Sequence, residues 1–160
     1  PTSPTPRMFE LEPVLPEASD TLERAEAAAR EQQRRVRVAE RRFVALLETD
    51  RDRAKRRAAR RVRDAYRRLA SATDTYRAEL RAVLGSNAPR ELLDPFMTQT
   101  RGLCLAAKSL DEFQQALGKG DDALARAGLR RIEHGEQLMH KAEADLAAAT
   151  AETQTPSRSF

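Results

Sequence analysis

Two small groups of residues and one large one have side chains suited to chemistry. Glu136 and His140 stand four apart, with Glu133 and His134 one turn earlier, so on a helix an imidazole and a carboxylate would share a face and could hold a metal between them. Two ligands make a poor metal site, and histidines on the wet side of a charged helix are the ordinary reading of that pattern. Cys104 lies in "GLCLAA" on an apolar stripe, which predicts a buried thiol rather than a nucleophile. "GKG" at 118–120 is too short for a phosphate loop. No catalytic residue, no cofactor and no metal is expected from these motifs, and a non-enzymatic protein is the reading they favour.

The large group is basic. Residues 53–68 hold nine Arg or Lys against one acid, Asp64: Arg53, Lys55, Arg56, Arg57, Arg60, Arg61, Arg63, Arg67 and Arg68. On a helix they leave one narrow stripe, Ala54, Ala58, Val62, Ala65 and Leu69, for packing. Repulsion among so many like charges must be tolerated or neutralised. Net charge is +4 for the whole chain, yet residues 23–68 carry 17 basic and 8 acidic side chains. The rest of the chain is therefore net acidic, and this asymmetry points to an anionic partner or to acidic helices of the same assembly.

"RAKRRAARR" at 53–61 resembles the basic region of leucine-zipper transcription factors, in which a continuous helix enters the DNA major groove. The likeness covers about 16 residues and implies phosphate contact. It departs at two points: no asparagine stands within the run to read a base, and the ladder after Leu69 continues with Tyr76 and Val83 rather than leucines. Three roles for the run follow, namely a solvated or internally paired face, a nucleic-acid phosphate grip, and an anionic membrane surface. A membrane helix would show a wide apolar face opposite its charges, whereas this one offers mostly alanine. Lipid binding would then need charge alone, as in a long curved dimer similar to the BAR kind. Arginine outnumbers lysine 25 to 4, so GC-rich coding is a further source of the excess.

The elements that would position these groups are helices. Alanine, arginine, glutamate and leucine dominate the 160 residues, aromatics are 4% and tryptophan is absent, a composition of long helices and coiled coils rather than sheets. Five prolines between Pro1 and Pro16 make residues 1–18 an extended segment. Within it the apolar "MFELEPVL" at 8–15 packs on the protein's own helices or docks on a protein partner. Residues 19–150 form one helical domain and 151–160 a flexible tail. The single Cys104 excludes an internal disulfide framework and fits a reducing compartment. No apolar run approaches the ~20 residues needed to span a bilayer, and no secretion signal opens the sequence. A cytoplasmic location is expected.

Ser19 or Asp20 would cap the first helix, with Glu23 closing the box. Apolar or small residues then recur at threes and fours through Leu22, Ala25, Ala29, Val36, Ala39, Phe43 and Leu46, with Gln32 in the missing position. No glycine or proline interrupts the chain between Pro16 and Gly85. That absence favours one continuous helix over about 20–84, roughly 100 Å long; the alternative is a tight turn at "ETDRD", 48–52, capped by Thr49 or Asp50. Gly85 and Pro89 stop the helix. Asp94 and Pro95 start the next one, on a stripe of Phe96, Leu103, Ala107, Leu110 and Leu117, and "GKGDD" at 118–122 turns it into a last helix. There the seam runs through Ala125, Gly128, Ile132, Gly135, Met139, Ala142, Leu146 and Ala149, and its two glycines call for close approach of a neighbouring helix or room for Phe96 or Phe113.

The expected architecture is all-α: an elongated antiparallel bundle or coiled coil, with one long N-terminal helix followed by a helical hairpin. Two shorter helices could cover only part of a 65-residue helix. Its seam at Val36, Ala39, Phe43 and Leu46 would then need a second copy, making the protein a self-associating scaffold or adaptor, a homodimer in the simplest case. The alternative function is polyanion binding through the arginines of 53–68.

Overall fold

A computed structural model describes Met8 and residues 19–154. Four helices follow one another: α1 (Asp20–Leu47), α2 (Asp52–Leu84), α3 (Arg90–Gly118) and α4 (Asp122–Gln154), and no strand occurs among the described residues. The all-α expectation holds. The continuous 65-residue helix does not, because the chain reverses at 48–51 and lays α2 antiparallel along α1.

That reversal needs neither glycine nor proline. Glu48 caps α1 in ordinary right-handed backbone, at φ −82° and ψ −1°. Thr49 then does most of the stitching: its Oγ1 donates to the Leu46 carbonyl at 2.7 Å and accepts from the Arg51 amide at 3.4 Å. Satisfying these end groups removes the cost of leaving a helix without a breaker residue. Thr49 thus closes α1 rather than capping α2, whose first residues are held by the Asp50 and Arg51 carbonyls.

The other ends follow sequence chemistry more closely. Ser19 caps α1, accepting from the Leu22 amide at 3.2 Å. Gly85 ends α2 at φ +78° and ψ −165°, a region essentially reserved for glycine, although not the left-handed helical well expected of a cap. At the α3–α4 turn Gly120 has φ +70°, and the Asp121 carboxylate accepts from the Leu124 amide at 3.0 Å. α3 begins four residues earlier than Asp94, with Pro95 inside it, because Leu92 and Leu93 are buried and anchor the first turn.

Backbone packing runs in chain order, α1 on α2, α2 on α3 and α3 on α4; among the described residues no Cα of α1 comes within 8 Å of α4. Side chains link across this frame. Phe43 of α1 meets Phe113 of α3 edge-on at 5.5 Å between centroids, and Tyr76 of α2 meets Phe96 of α3 at 5.2 Å. Such pairs add about 0.5–1.5 kcal/mol each beyond the area they bury. Met8, ahead of α1, is fully buried in the same core, so this residue packs on its own helices. The rest of the 8–15 segment and residues 155–160 lie outside the described residues. α4 extends through Gln154, past the expected boundary at 150.

The tightest contact is between α3 and α4. A Cβ placed on Gly135 would stand 2.6 Å from the Gly102 carbonyl oxygen, and one on Gly102 the same distance from the Gly135 oxygen. Gly128 likewise faces the Phe113 backbone at 3.3 Å. Both seam glycines thus serve close helix approach, and Gly102 completes the set. Replacing Gly135 by Ala should destabilise the fold by about 1–3 kcal/mol through overpacking, despite the ~1 kcal/mol that alanine gains in helix propensity. Urea unfolding followed by circular dichroism checks this; an unchanged midpoint would contradict it.

Candidate basic face and groove

α2 packs on α1 with one flank and on α3 with the other, so its arginines divide. Asp111 of α3 takes two of them: Arg63 Nη1 donates to Oδ1 at 2.6 Å and Arg67 Nη2 to Oδ2 at 2.9 Å. Arg63 also donates to Asp64 Oδ1 from Nε and Nη2. These carboxylates hold the Arg63 guanidinium above its usual value, Asp111 most strongly. Lys55 pairs with Asp52 at 3.7 Å. The Arg56 guanidinium lies 3.1 Å from where a Gly118 Cβ would be, at the C-terminal end of α3, where a cation meets the partial negative charge of the last carbonyls.

Apart from Arg56, which meets the end of α3, five members of the basic run have no carboxylate partner among the described residues: Arg53, Arg57, Arg60, Arg61 and Arg68, all exposed. Three of them, Arg57, Arg61 and Arg68, border a groove of about 1190 Å³ between α1 and α2, whose opposite wall carries Arg34, Arg35 and Arg42. Arg34 and Arg35 share Glu31, and Arg42 has no carboxylate partner there. The floor is apolar, formed by Val38, Ala39 and Leu46 of α1 with Ala54, Ala58 and Ala65 of α2.

The expected self-association seam is partly consumed by the fold itself. Val36 and Phe43 are each 6% exposed, covered by the chain's own helices. Ala39 and Leu46 are half-buried in the groove. The seam was to be uncovered because one helix outran its neighbours; with α2 folded back along α1, that reason is gone. The large apolar side chains that remain exposed on α1 are Val38 at 44% and Val44 at 61%.

Sequence reasoning did not find the α1 wall. Arg35, Val38 and Arg42 recur at i, i+3 and i+7, as Arg57, Arg61 and Arg68 do at i, i+4 and i+11. That paired spacing was the available signal, and it means a shared face only once the two helices are known to be antiparallel. The expected buried thiol is also corrected: Cys104 is exposed, because the buried stripe of α3 runs through Leu103, Ala106, Ala107 and Leu110 and turns Cys104 outward. His134, Glu136 and His140 are exposed on α4, and no group of three or more potential ligands is placed to hold a metal among the described residues.

A polar contact in the core was also unforeseen. Tyr66, 1% exposed, donates its hydroxyl to Glu40 Oε1 at 3.0 Å. Burial pushes the Tyr66 hydroxyl well above its ordinary value, helped by the Glu40 and Glu136 charges. Burial likewise raises the Glu40 carboxyl, and the nearby Glu136 adds to this, while the Tyr66 hydroxyl and Arg37 oppose it. Glu136 of α4 is itself raised, by desolvation first and by Glu133, against His140.

No helix among the described residues is long and apolar enough to cross a membrane. No protein-family model, curated protein or solved structure matches the chain.

Two outcomes follow from these contacts. Because folded Glu40 keeps a proton that the unfolded chain has released, stability should fall as pH rises from the ordinary value of 4.5 through the raised one, and return on acidification. Glu40→Gln should flatten that slope in urea melts across pH 4 to 8 and raise stability at neutral pH, with Glu136 supplying what slope remains. Asp111→Asn should cost about 1 kcal/mol in the same assay and free Arg67 while Arg63 keeps Asp64, so any polyanion affinity of the face should rise.

Proposed function

We propose that the chain is a non-enzymatic interaction protein, a scaffold or adaptor, whose working surface is the arginine-rich face of α1 and α2 and whose partner is an anionic macromolecule. One observation carries this reading. Where α2 meets α3 its cations are matched by Asp111, Asp64 and the end of α3, whereas Arg53, Arg57, Arg60, Arg61 and Arg68 face solvent without a carboxylate among the described residues. A helix with five uncompensated cations gains most from an external anion, since the mutual repulsion it relieves already exists.

α3 and α4 would serve as the rigid support. Their glycine-mediated contact and buried aromatic residues hold α2 in place, and α2 in turn positions α1. Nucleic-acid phosphates, an anionic membrane surface and an acidic protein are the partner classes such a face suits.

A second reading, self-association of two copies through α1, is supported by the exposure of Val38 and Val44. It is the weaker one, because two copies joined across this face would bring arginine against arginine. Light scattering after size-exclusion chromatography separates the readings: a monomer at micromolar concentration supports the first, a dimer the second.

The primary test is salt dependence. Binding of a 20-base-pair DNA duplex or of a polyglutamate chain should weaken linearly in log–log form as salt rises, losing about 0.9 of slope per duplex phosphate contact removed. Replacing Arg57, Arg60, Arg61 and Arg68 by Gln should reduce both affinity and slope. Absence of salt-sensitive binding to every polyanion tried would end this reading.

A further inference from the structure

The groove between α1 and α2 differs from the rest of the basic face, because it has an apolar floor as well as arginine walls. It is lined along α1 from Glu31 to Leu46, about 22 Å at ~1.5 Å per residue, or some four helical turns. Spread over that length, about 1190 Å³ accommodates roughly half the cross-section of a helix 10–12 Å across. An occupant of that shape buries one face and keeps the other in water.

Each class of anion makes a different demand on such a groove. Phosphate contact needs cations alone and leaves an apolar floor unused. Single-stranded nucleic acid stacks its bases on aromatic side chains, and the groove lining contains none. A lipid surface calls for large apolar residues projecting outward, whereas here alanines Ala39, Ala54, Ala58 and Ala65 form a recess. A recess floored by alanine leaves volume that only bulky side chains of a partner can fill, and filling it removes apolar surface from water. The walls then set the sign of the partner's flanks. Arg42, Arg57, Arg61 and Arg68 have no carboxylate partner among the described residues, while the two acids of the lining, Glu31 and Asp64, are already engaged by Arg34, Arg35 and Arg63. Arg35 to Arg42 and Arg61 to Arg68 are each seven residues apart, two turns, matching the heptad on which an amphipathic partner repeats its own flanking charges.

We infer that the groove is the docking site of an acidic amphipathic α-helix of about four turns, supplied by another protein: bulky apolar residues at its seam enter the alanine floor and carboxylates on both flanks meet the arginine walls. This rests on the reading of α1 and α2 as an anion-binding face and narrows it to one partner chemistry. A second copy of this chain is the less suited occupant, because the face it would present is cationic.

Fluorescence anisotropy with labelled, end-blocked 18-residue peptides tests the inference. One probe carries leucine at heptad seam positions and glutamate on the flanks; a second has the same composition with the pattern scrambled; the third probe is a 20-base-pair DNA duplex. The patterned peptide should bind at least about tenfold more tightly than the scrambled one, a difference of about 1.4 kcal/mol. Val38→Glu places a carboxylate in the floor at a position already 44% exposed, so the fold survives, as circular dichroism would show, and affinity for the patterned peptide should drop about tenfold or more. The Arg57→Gln, Arg61→Gln, Arg68→Gln triple variant should do the same. Arg53→Gln and Arg60→Gln lie on the basic face but outside the groove lining and should weaken the patterned and scrambled peptides by the same factor, leaving the preference intact, whereas Val44→Gln, also outside the lining, should shift either by less than about twofold.

Equal binding of patterned and scrambled peptides would overturn the inference, as would a dimer of the protein alone that Val38→Glu dissolves. Duplex binding that all five arginines support equally, with no preference for the patterned peptide, would overturn the groove and leave the basic face standing. Silence from all three probes at low salt would remove both.

Discussion

The fold depends on covering one face of α1. Leu22, Ala25, Ala29, Val36 and Phe43 cannot remain in water at the end of an unsupported rod, and the chain supplies its own cover by reversing at 48–51. Thr49 makes the reversal inexpensive by satisfying the Leu46 carbonyl. Once α2 lies back along α1, its other flank is committed to α3 through Tyr76, Phe96 and the Asp111 pairs, and α3 is committed to α4 through Gly102 and Gly135. The order of packing therefore follows the order of the chain, and each connection is short enough to make consecutive helices antiparallel neighbours.

Electrostatics is arranged on the same frame. Cations that point toward α3 find Asp111, Asp64 or a helix end, and those that point toward α1 or solvent find water. Packing alone would be served as well by glutamine or glutamate at Arg57, Arg61 and Arg68. A cationic excess on both walls of one groove costs stability through repulsion. It is the kind of local conflict that binding of an oppositely charged partner resolves.

Much of this was legible in the residues. The seam of α4, from Ala125 through Ala149, is buried nearly as its spacing predicts, with Met139 only half-covered, and the need of Gly128 and Gly135 for close approach was readable from their propensity cost. Gly85 and Gly120 marked two of the three turns. The first turn, at 48–52, was legible only as the alternative to a continuous helix, because its signal is a threonine whose hydroxyl works only after the chain has bent; without glycine or proline, propensity favoured continuity. Val83 continued the α2 pattern yet is 36% exposed, since the covered face there runs through Leu80 and Leu84 instead. Tyr66 escaped notice because α2 is covered on two flanks, which one-stripe periodicity does not describe. The groove could not be read at all from one helix, since half its wall comes from the other.

α1 and α4 each have one backbone neighbour, but α1 lacks the close glycine contact that holds α4, its turn has no rigid glycine or proline, and Glu26 and Gln33 are buried on its covered side with Glu40 half-buried beside them. Of the two end helices α1 is therefore the easier to peel away, and its amides should exchange with solvent hydrogen ahead of those in α4. Any molecule seated between α1 and α2 gives that loosely tethered rod a second attachment. Occupancy and local unfolding would then be thermodynamically linked, and slowed exchange along α1 would report the visitor without reference to its identity.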